Sequence, residues 1–286
     1  TIESQSADCV VTSPPYFKLR DYGVEGEIGS EESPQQYVDN LVAIFREVKR
    51  VLKDEGTCWL NLGDCYADKD LLGIPWKVAF ALQDDGWIVR QSIVWSKPNP
   101  MPEPVTDRCT RSHEMMFMLC KQKSYYYNHD AIREPIGESM KRSIRNGPRI
   151  TEGYKHDEES RMGKSSGNHA FSRQASLDNI SKGRNKHDVW RVSGKPYAGA
   201  HCAVFPPDLI EPCILAGCPK GGVVLDPFGG SGTTAGVAIR HGRKAILCEL
   251  NPDFTSVIEG RIGQILGMKN VENKQAFNEW FGDDRG

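Results

Sequence analysis

A short apolar run that has to stop at a glycine turn constrains this chain more than any other feature. Gly222-Val223-Val224-Leu225-Asp226 reads as a buried strand, and beyond Pro227-Phe228-Gly229-Gly230-Ser231-Gly232-Thr233 the residues from Thr234 to His241 continue as a helix. Strand, glycine turn and helix in that order leave room for a cofactor at the strand's carboxyl end, though a glycine turn alone is weak evidence of one. Glycines let the backbone approach a ligand, and the first amides of the helix can receive a carboxylate or phosphate. The turn lacks the Gly-Lys-Ser/Thr ending of a nucleotide P-loop. Lys244 to Cys248 supplies a second strand, and Glu249 at its end stands where a carboxylate would meet ribose hydroxyls; the same charge also suits the N-terminus of the helix that follows.

The rest of the chain continues the alternation. Cys9 to Thr12 reads as a strand. Ser33-Pro34-Gln35-Gln36 is a capping box opening a helix to about Leu52, with Val38, Leu41, Val42, Phe45, Val48 and Leu52 on one apolar stripe. Gly56 is expected to end the connection and Thr57 to Leu62 to form the next strand. Pro75 to Gln83 reads as a helix, Trp87 to Trp95 and Met115 to Cys120 as strands, and Asn251-Pro252 caps a last helix. Such alternation predicts a parallel sheet covered on both faces. Asn61-Leu62-Gly63-Asp64 leaves at the same sheet edge as the glycine turn, with Asp64 read chiefly as a turn carboxylate bonding its own backbone.

Leaving the first strand at that edge is Ser13-Pro14-Pro15-Tyr16. Two prolines fix φ and remove two donors, so their carbonyls stand as held acceptors. An exocyclic base amine is a poor nucleophile because its lone pair is delocalised into the ring. Acceptors around its hydrogens, such as Ser13 Oγ and the Pro14 carbonyl, favour a pyramidal nitrogen. Tyr16 offers a stacking face, a contact worth roughly 1 to 3 kcal/mol per base. Pro-Pro-Tyr also occurs in ordinary turns, and it is the pairing with the glycine turn that points to methyl transfer to a nucleobase amine.

Together these segments resemble the S-adenosylmethionine-dependent DNA amino-methyltransferases, N4-cytosine and N6-adenine, of the permuted (beta) class in which the catalytic motif precedes the cofactor motif. The resemblance covers nearly the whole chain. It implies an α/β, Rossmann-like fold with a mixed, mostly parallel sheet, helices on both faces and a target-recognition insertion. By this resemblance Asp226, Pro227, Phe228, Gly229, Gly230, Ser231, Gly232 and Thr233 are the cofactor loop, with Glu249 as the acidic residue after the next strand. His201 and Phe205, in the segment to Leu209, complete the cofactor pocket, and Ile93 to Pro100 lies near the target base. The catalytic residues are Ser13, Pro14, Pro15 and Tyr16, and the Ser form is more typical of N4-cytosine than of N6-adenine enzymes. The family also carries a strand and a Gly-Asp turn before this motif, so residues of the cofactor pocket are expected to precede Thr1.

A formal net charge of -2 excludes a uniformly basic nucleic-acid binder. A local patch exists between Lys141 and Lys186, where basic residues outnumber acidic ones and aliphatic residues are few. We therefore expect residues 1–136 to be the catalytic half, 137–188 either a target-recognition insertion that meets phosphates and base edges or a solvated disordered insertion, two readings that agree if it orders only on DNA, and 189–286 the cofactor half. Double-stranded DNA is the expected partner, with a cognate restriction endonuclease as a second candidate. Nine cysteines, an odd number with no Cys-x-x-Cys pair, argue against a disulfide framework and for a reducing cytoplasmic setting. No metal is expected: His201-Cys202 with Cys213 and Cys218 fits no common zinc spacing. No apolar run approaches the roughly 20 residues that span a bilayer.

Two other chemistries compete. Pro212-Cys213 matches the dipeptide by which C5-cytosine enzymes supply a thiolate, but it sits in an apolar helical stretch, Leu209 to Ala216, where a buried thiol is inert. RNA and protein-glutamine methyltransferases also use a Pro-Pro-Tyr loop, but with the glycine motif before it; here it comes after.

Overall fold

The computed structural model describes residues 1–20, 23–138, 142, 182–194 and 205–267. The chain divides into two compact units, one of Thr1–Asn128 with Asp188–Gly286 and the other of His129–His187.

The larger unit is built on a seven-stranded sheet. Its strands are β1 (Ala7–Thr12), β2 (Leu52–Leu62), β5 (Ile88–Ser96), β6 (His113–Cys120), β7 (Val189–Arg191), β8 (Val223–Asp226) and β9 (Lys244–Leu247); β3 (Tyr66–Ala67) and β4 (Asp70–Leu71) form a separate small hairpin. The order across the sheet is β7-β5-β6-β2-β1-β8-β9. Every pairing is parallel except those of β6, which runs antiparallel to both β2 and β5. The sheet is thus mixed and mostly parallel, as expected. Because β6 alone is reversed, its first residues share an edge with the last residues of β1, β2, β5, β8 and β9.

Helices α1 (Pro34–Val51), α2 (Ile74–Asp84), α3 (Pro207–Gly217), α4 (Thr233–Arg240) and α5 (Thr255–Ile265) cover the sheet. The capping box of α1 is present: Ser33 Oγ accepts from the Gln36 amide and the Gln36 side chain accepts from the Ser33 amide. Its stripe buries Val38, Leu41, Phe45 and Val48, with Tyr37 and Val51 added. A core of these residues with Leu60, Leu62, Val78, Leu82 and Phe117 fixes α1 and α2 to the sheet.

Two expectations need correction. Gly56 does not end a connection: β2 runs through it from Leu52, directly after α1. A Cβ at Gly56 would lie 2.4 Å from Leu52 Cδ1 and 2.9 Å from the Asp8 carbonyl, so the glycine permits a close strand approach within the irregular start of the β1 and β2 pairing. The last helix opens through a 3₁₀ turn at Pro252–Phe254 before α5. Cys213 is fully buried in α3, as the apolar stretch around it implied.

In the smaller unit the described residues include a 3₁₀ turn at His129–Ile132 and a pinch where Glu134 and Arg184 exchange backbone hydrogen bonds. Glu134 also accepts from the side chains of Arg184 and Lys186. Most of the predicted insertion, 137–188, lies outside the described residues, as do His201 and Cys202.

Candidate active site

Parallel strands converge their carboxyl ends, and here those ends surround a cleft of about 670 Å³, within the roughly 300 to 1,000 Å³ of ligand sites. Ser13, Pro14, Pro15 and Tyr16 line it after β1. Asp226, Pro227, Phe228, Gly229, Gly230, Ser231 and Thr233 line it after β8, and Glu249 after β9, with Phe205 alongside. Segments more than two hundred residues apart in the chain therefore share one cavity. Of the sequence-predicted residues, Gly232 does not line it and His201 is outside the described residues.

The glycine loop is shaped from inside the protein. Asp226, 1% exposed, accepts from Thr12 Oγ1 and Thr234 Oγ1, each at 2.6 Å, and from the Phe228 amide at 3.1 Å. Its carboxylate ties β1, β8 and α4 together. Burial raises its pKa to about 7, against the opposing pull of those hydrogen bonds. Gly232 sits at φ 81° ahead of α4, where a Cβ would lie 2.8 Å from Ile258 Cγ2. Glu249 accepts from the Gly230 amide at 2.7 Å and the Asn251 amide at 3.0 Å, bridging the glycine loop to the start of the last helix. Its carboxylate serves the backbone and faces the cleft at once.

Ser13-Pro14-Pro15-Tyr16 is held just as firmly. The Pro15 carbonyl accepts from Tyr37 Oη at 2.8 Å, which anchors the loop to α1. Tyr16 Oη donates to Glu114 Oε2 at 2.6 Å and receives Asn61 Nδ2 at 2.5 Å and Ser13 Oγ at 3.2 Å. Asn61 Nδ2 also reaches Glu114 Oε2 at 2.9 Å, and Lys97 Nζ pairs with Glu114 Oε1. Burial first, and then the neighbouring Glu114 carboxylate, push the Tyr16 phenol well above its ordinary pKa, so it remains a protonated donor. Gly63 gives the ring its seat: a Cβ there would lie 2.5 Å from Tyr16 Cε2.

Sequence reading missed Glu114. The one available signal was a carboxylate immediately before an unbroken apolar run at the edge where the motifs converge. Asp64 behaves as a turn carboxylate, accepting from the Cys65 amide and from the Ile74 amide at the start of α2. Among the described residues no cluster of His, Cys, Asp or Glu is arranged to hold a metal, and no helix is long and apolar enough to cross a membrane.

Known proteins share the sequence and the fold of this chain. The family model for N6/N4 methyltransferases, described as DNA methylase, matches residues 7–260. Type II methyltransferase M.Cfr9I of Citrobacter freundii is 41% identical over 290 residues, spanning 91% of this chain and 83% of its own length. Type II methyltransferase M.SmaI of Serratia marcescens is 39% identical, spanning 91% and 86%. Among solved structures, PvuII DNA methyltransferase (cytosine-N4-specific) superposes with a TM-score of 0.65 at 19% identity, covering 93% of this chain and 86% of that one. The M1.HpyAVI complex with S-adenosylmethionine gives 0.51 at 17% identity, covering 91% and 90%. The fold is thus the Rossmann-like methyltransferase fold, whose methyl donor is S-adenosylmethionine. A match over residues 7–260, with relatives near 40% identity across most of both chains, places this protein in the N6/N4 DNA methylase family.

Proposed function

We propose that this DNA methyltransferase acts on the exocyclic N4 amine of a cytosine flipped out of duplex DNA. The observation that carries the reading is the single cleft shared by Ser13-Pro14-Pro15-Tyr16 and the glycine loop with Glu249. The serine form of the first motif favours cytosine N4 over adenine N6, and the cytosine-N4-specific PvuII enzyme shares the fold.

The cleft's donors and acceptors suit the donor molecule. Glu249 at the end of β9 is placed for ribose hydroxyls, keeping its amide bonds while it offers its remaining lone pairs. Pro227, Phe228, Gly229, Gly230, Ser231, Thr233 and Phe205 form the surrounding wall. Asp226, with its lone pairs committed to Thr12, Thr234 and Phe228, holds the loop's shape, while Gly232 gives the turn. S-adenosylmethionine, when bound, supplies a methyl group already activated on a positive sulfonium.

On the other side of the cleft the flipped base stacks on Tyr16, and flipping itself costs a few kcal/mol of unstacking. Ser13 Oγ and the Pro14 carbonyl accept the amine hydrogens, localise the lone pair on nitrogen and aim it. Rate then comes from proximity and fixed acceptors. Residues 137–188, with their basic surplus, are the DNA-recognition part of this proposal. Replacing Ser13 with Ala tests the role: turnover should fall at least about 100-fold, the scale of a missing preorganised group, with S-adenosylmethionine affinity nearly unchanged. Parallel loss of both would refute it.

A further inference from the structure

Register across three strands brings Glu114 into the site. β6 lies between β2 and β5, with Asn61 opposite Met116 and Trp95 opposite Glu114. Side chains two apart on a strand share a face, so Glu114 and Asn61 point the same way. Lys97, just past β5, closes the group from the other side, its ammonium 4.3 Å from the centre of the Trp95 ring. The Glu114 side chain is only 13% exposed and that of Lys97 26%. A carboxylate withdrawn from water in this way needs its oxygens filled. Here one oxygen takes Lys97 and the other takes both Tyr16 and Asn61.

This arrangement gives the chain of hydrogen bonds a direction. An ionised carboxylate only accepts, and the Asn61 amide nitrogen only donates. Tyr16 must therefore send its one hydrogen to Glu114, which leaves its oxygen to accept from Ser13. Ser13 then spends its hydrogen on Tyr16; its oxygen accepts from Asn61 Nδ2 at 3.5 Å and keeps one lone pair over. Without Glu114, Tyr16 can turn its hydrogen onto Ser13 and occupy the acceptor that the target amine needs.

We propose that Glu114, balanced by Lys97, is a positioning residue that orients Tyr16 and, through it, keeps the Ser13 oxygen open as an acceptor for the target amine. This rests on Ser13-Pro14-Pro15-Tyr16 being the amine platform, and it holds equally for a cytosine or an adenine amine.

A double-mutant cycle tests it, using single-turnover methylation of mixed-sequence duplex DNA by the full chain, with S-adenosylmethionine affinity and thermal unfolding measured on each variant. Glu114→Gln should slow methyl transfer by about 10- to 100-fold with cofactor affinity changed less than about twofold, as for loss of one preorganised group. In a Tyr16→Phe background, where the chain is already cut, the same substitution should cost less than about threefold. Adding Lys97→Met to Glu114→Gln removes the competing donor, lets the Gln oxygen accept from Tyr16, and should restore most of the rate. Equal losses from Glu114→Gln in both backgrounds, or no recovery in the Lys97→Met pair, would overturn the proposal. Absence of any methylated product from the unaltered protein would instead overturn the functional reading beneath it.

Discussion

Gly63→Ala puts the geometry of the amine platform to a quantitative test. The glycine precedes Asp64 at the exit of β2, outside the positive-φ region, so the backbone there accepts alanine without strain. The new methyl group, however, would lie 2.5 Å from Tyr16 Cε2 and 2.7 Å from Cδ2. Carbon atoms rest at about 3.5 to 4.0 Å, so the ring has to withdraw by about 1 Å or more. Tyr16 is tied through its hydroxyl to Glu114, Asn61 and Ser13, and the withdrawal therefore strains or breaks that network. Overpacking of this kind costs about 1 to 3 kcal/mol of stability, and a displacement of about 1 Å at a reacting site can cost about 100-fold in rate. We expect single-turnover methylation to fall about 30- to 100-fold at saturating DNA and cofactor, with cofactor affinity within about twofold, since the glycine loop is untouched. A rate within about threefold of the parent would refute the claim that Tyr16 is seated where it must be.

Three further outcomes are expected of the same structure. Gly260, exposed within α5 with open space around its Cα, should accept alanine with a gain of about 0.5 to 1 kcal/mol, measured by thermal or denaturant unfolding, and loss of stability there would contradict the packing of α5. Asp226 is raised from 3.8 to about 7, so the folded protein holds an extra proton between those values; the stability it contributes is present below about pH 4 and is lost as pH rises through 7, by at most about 1.4 kcal/mol per pH unit. The Tm of Asp226→Asn relative to the parent should therefore climb between pH 4.5 and 7.5, and a flat difference would contradict the burial argument. Neutralising Lys155, Arg161, Lys164 and Arg173 should weaken duplex binding and lower the salt slope by about 0.9 for each phosphate that is no longer neutralised, whereas unchanged affinity would remove residues 137–188 from the DNA interface.

Much of this site is legible in the residues because its two motifs are local. A β-branched run followed by Ser-Pro-Pro-Tyr, and Val-Val-Leu-Asp followed by a glycine turn, each state their own strand end, and parallel strands must bring those ends together. What was not legible depends on partners distant in sequence. Glu114 looks like the charged lead-in to an apolar strand until the antiparallel register of β6 sets it beside Lys97 and Asn61. Asp226 reads as a group aimed at a ligand, yet Thr12, 214 residues away, takes one of its oxygens. Gly232 reads as room for a cofactor, whereas the space it leaves is filled by Ile258 of α5. Gly56 reads as a break because close strand approach leaves the same mark in a sequence as a turn.

Identifying the product tests whether this one cleft transfers methyl from S-adenosylmethionine to cytosine N4. Unmethylated duplex DNA of mixed sequence, incubated with the protein and isotopically labelled S-adenosylmethionine, is digested to nucleosides and resolved by mass spectrometry. Label is expected in N4-methyldeoxycytidine; label in N6-methyldeoxyadenosine instead would contradict the base assigned to Ser13-Pro14-Pro15-Tyr16, and label in 5-methyldeoxycytidine would contradict the amine chemistry itself.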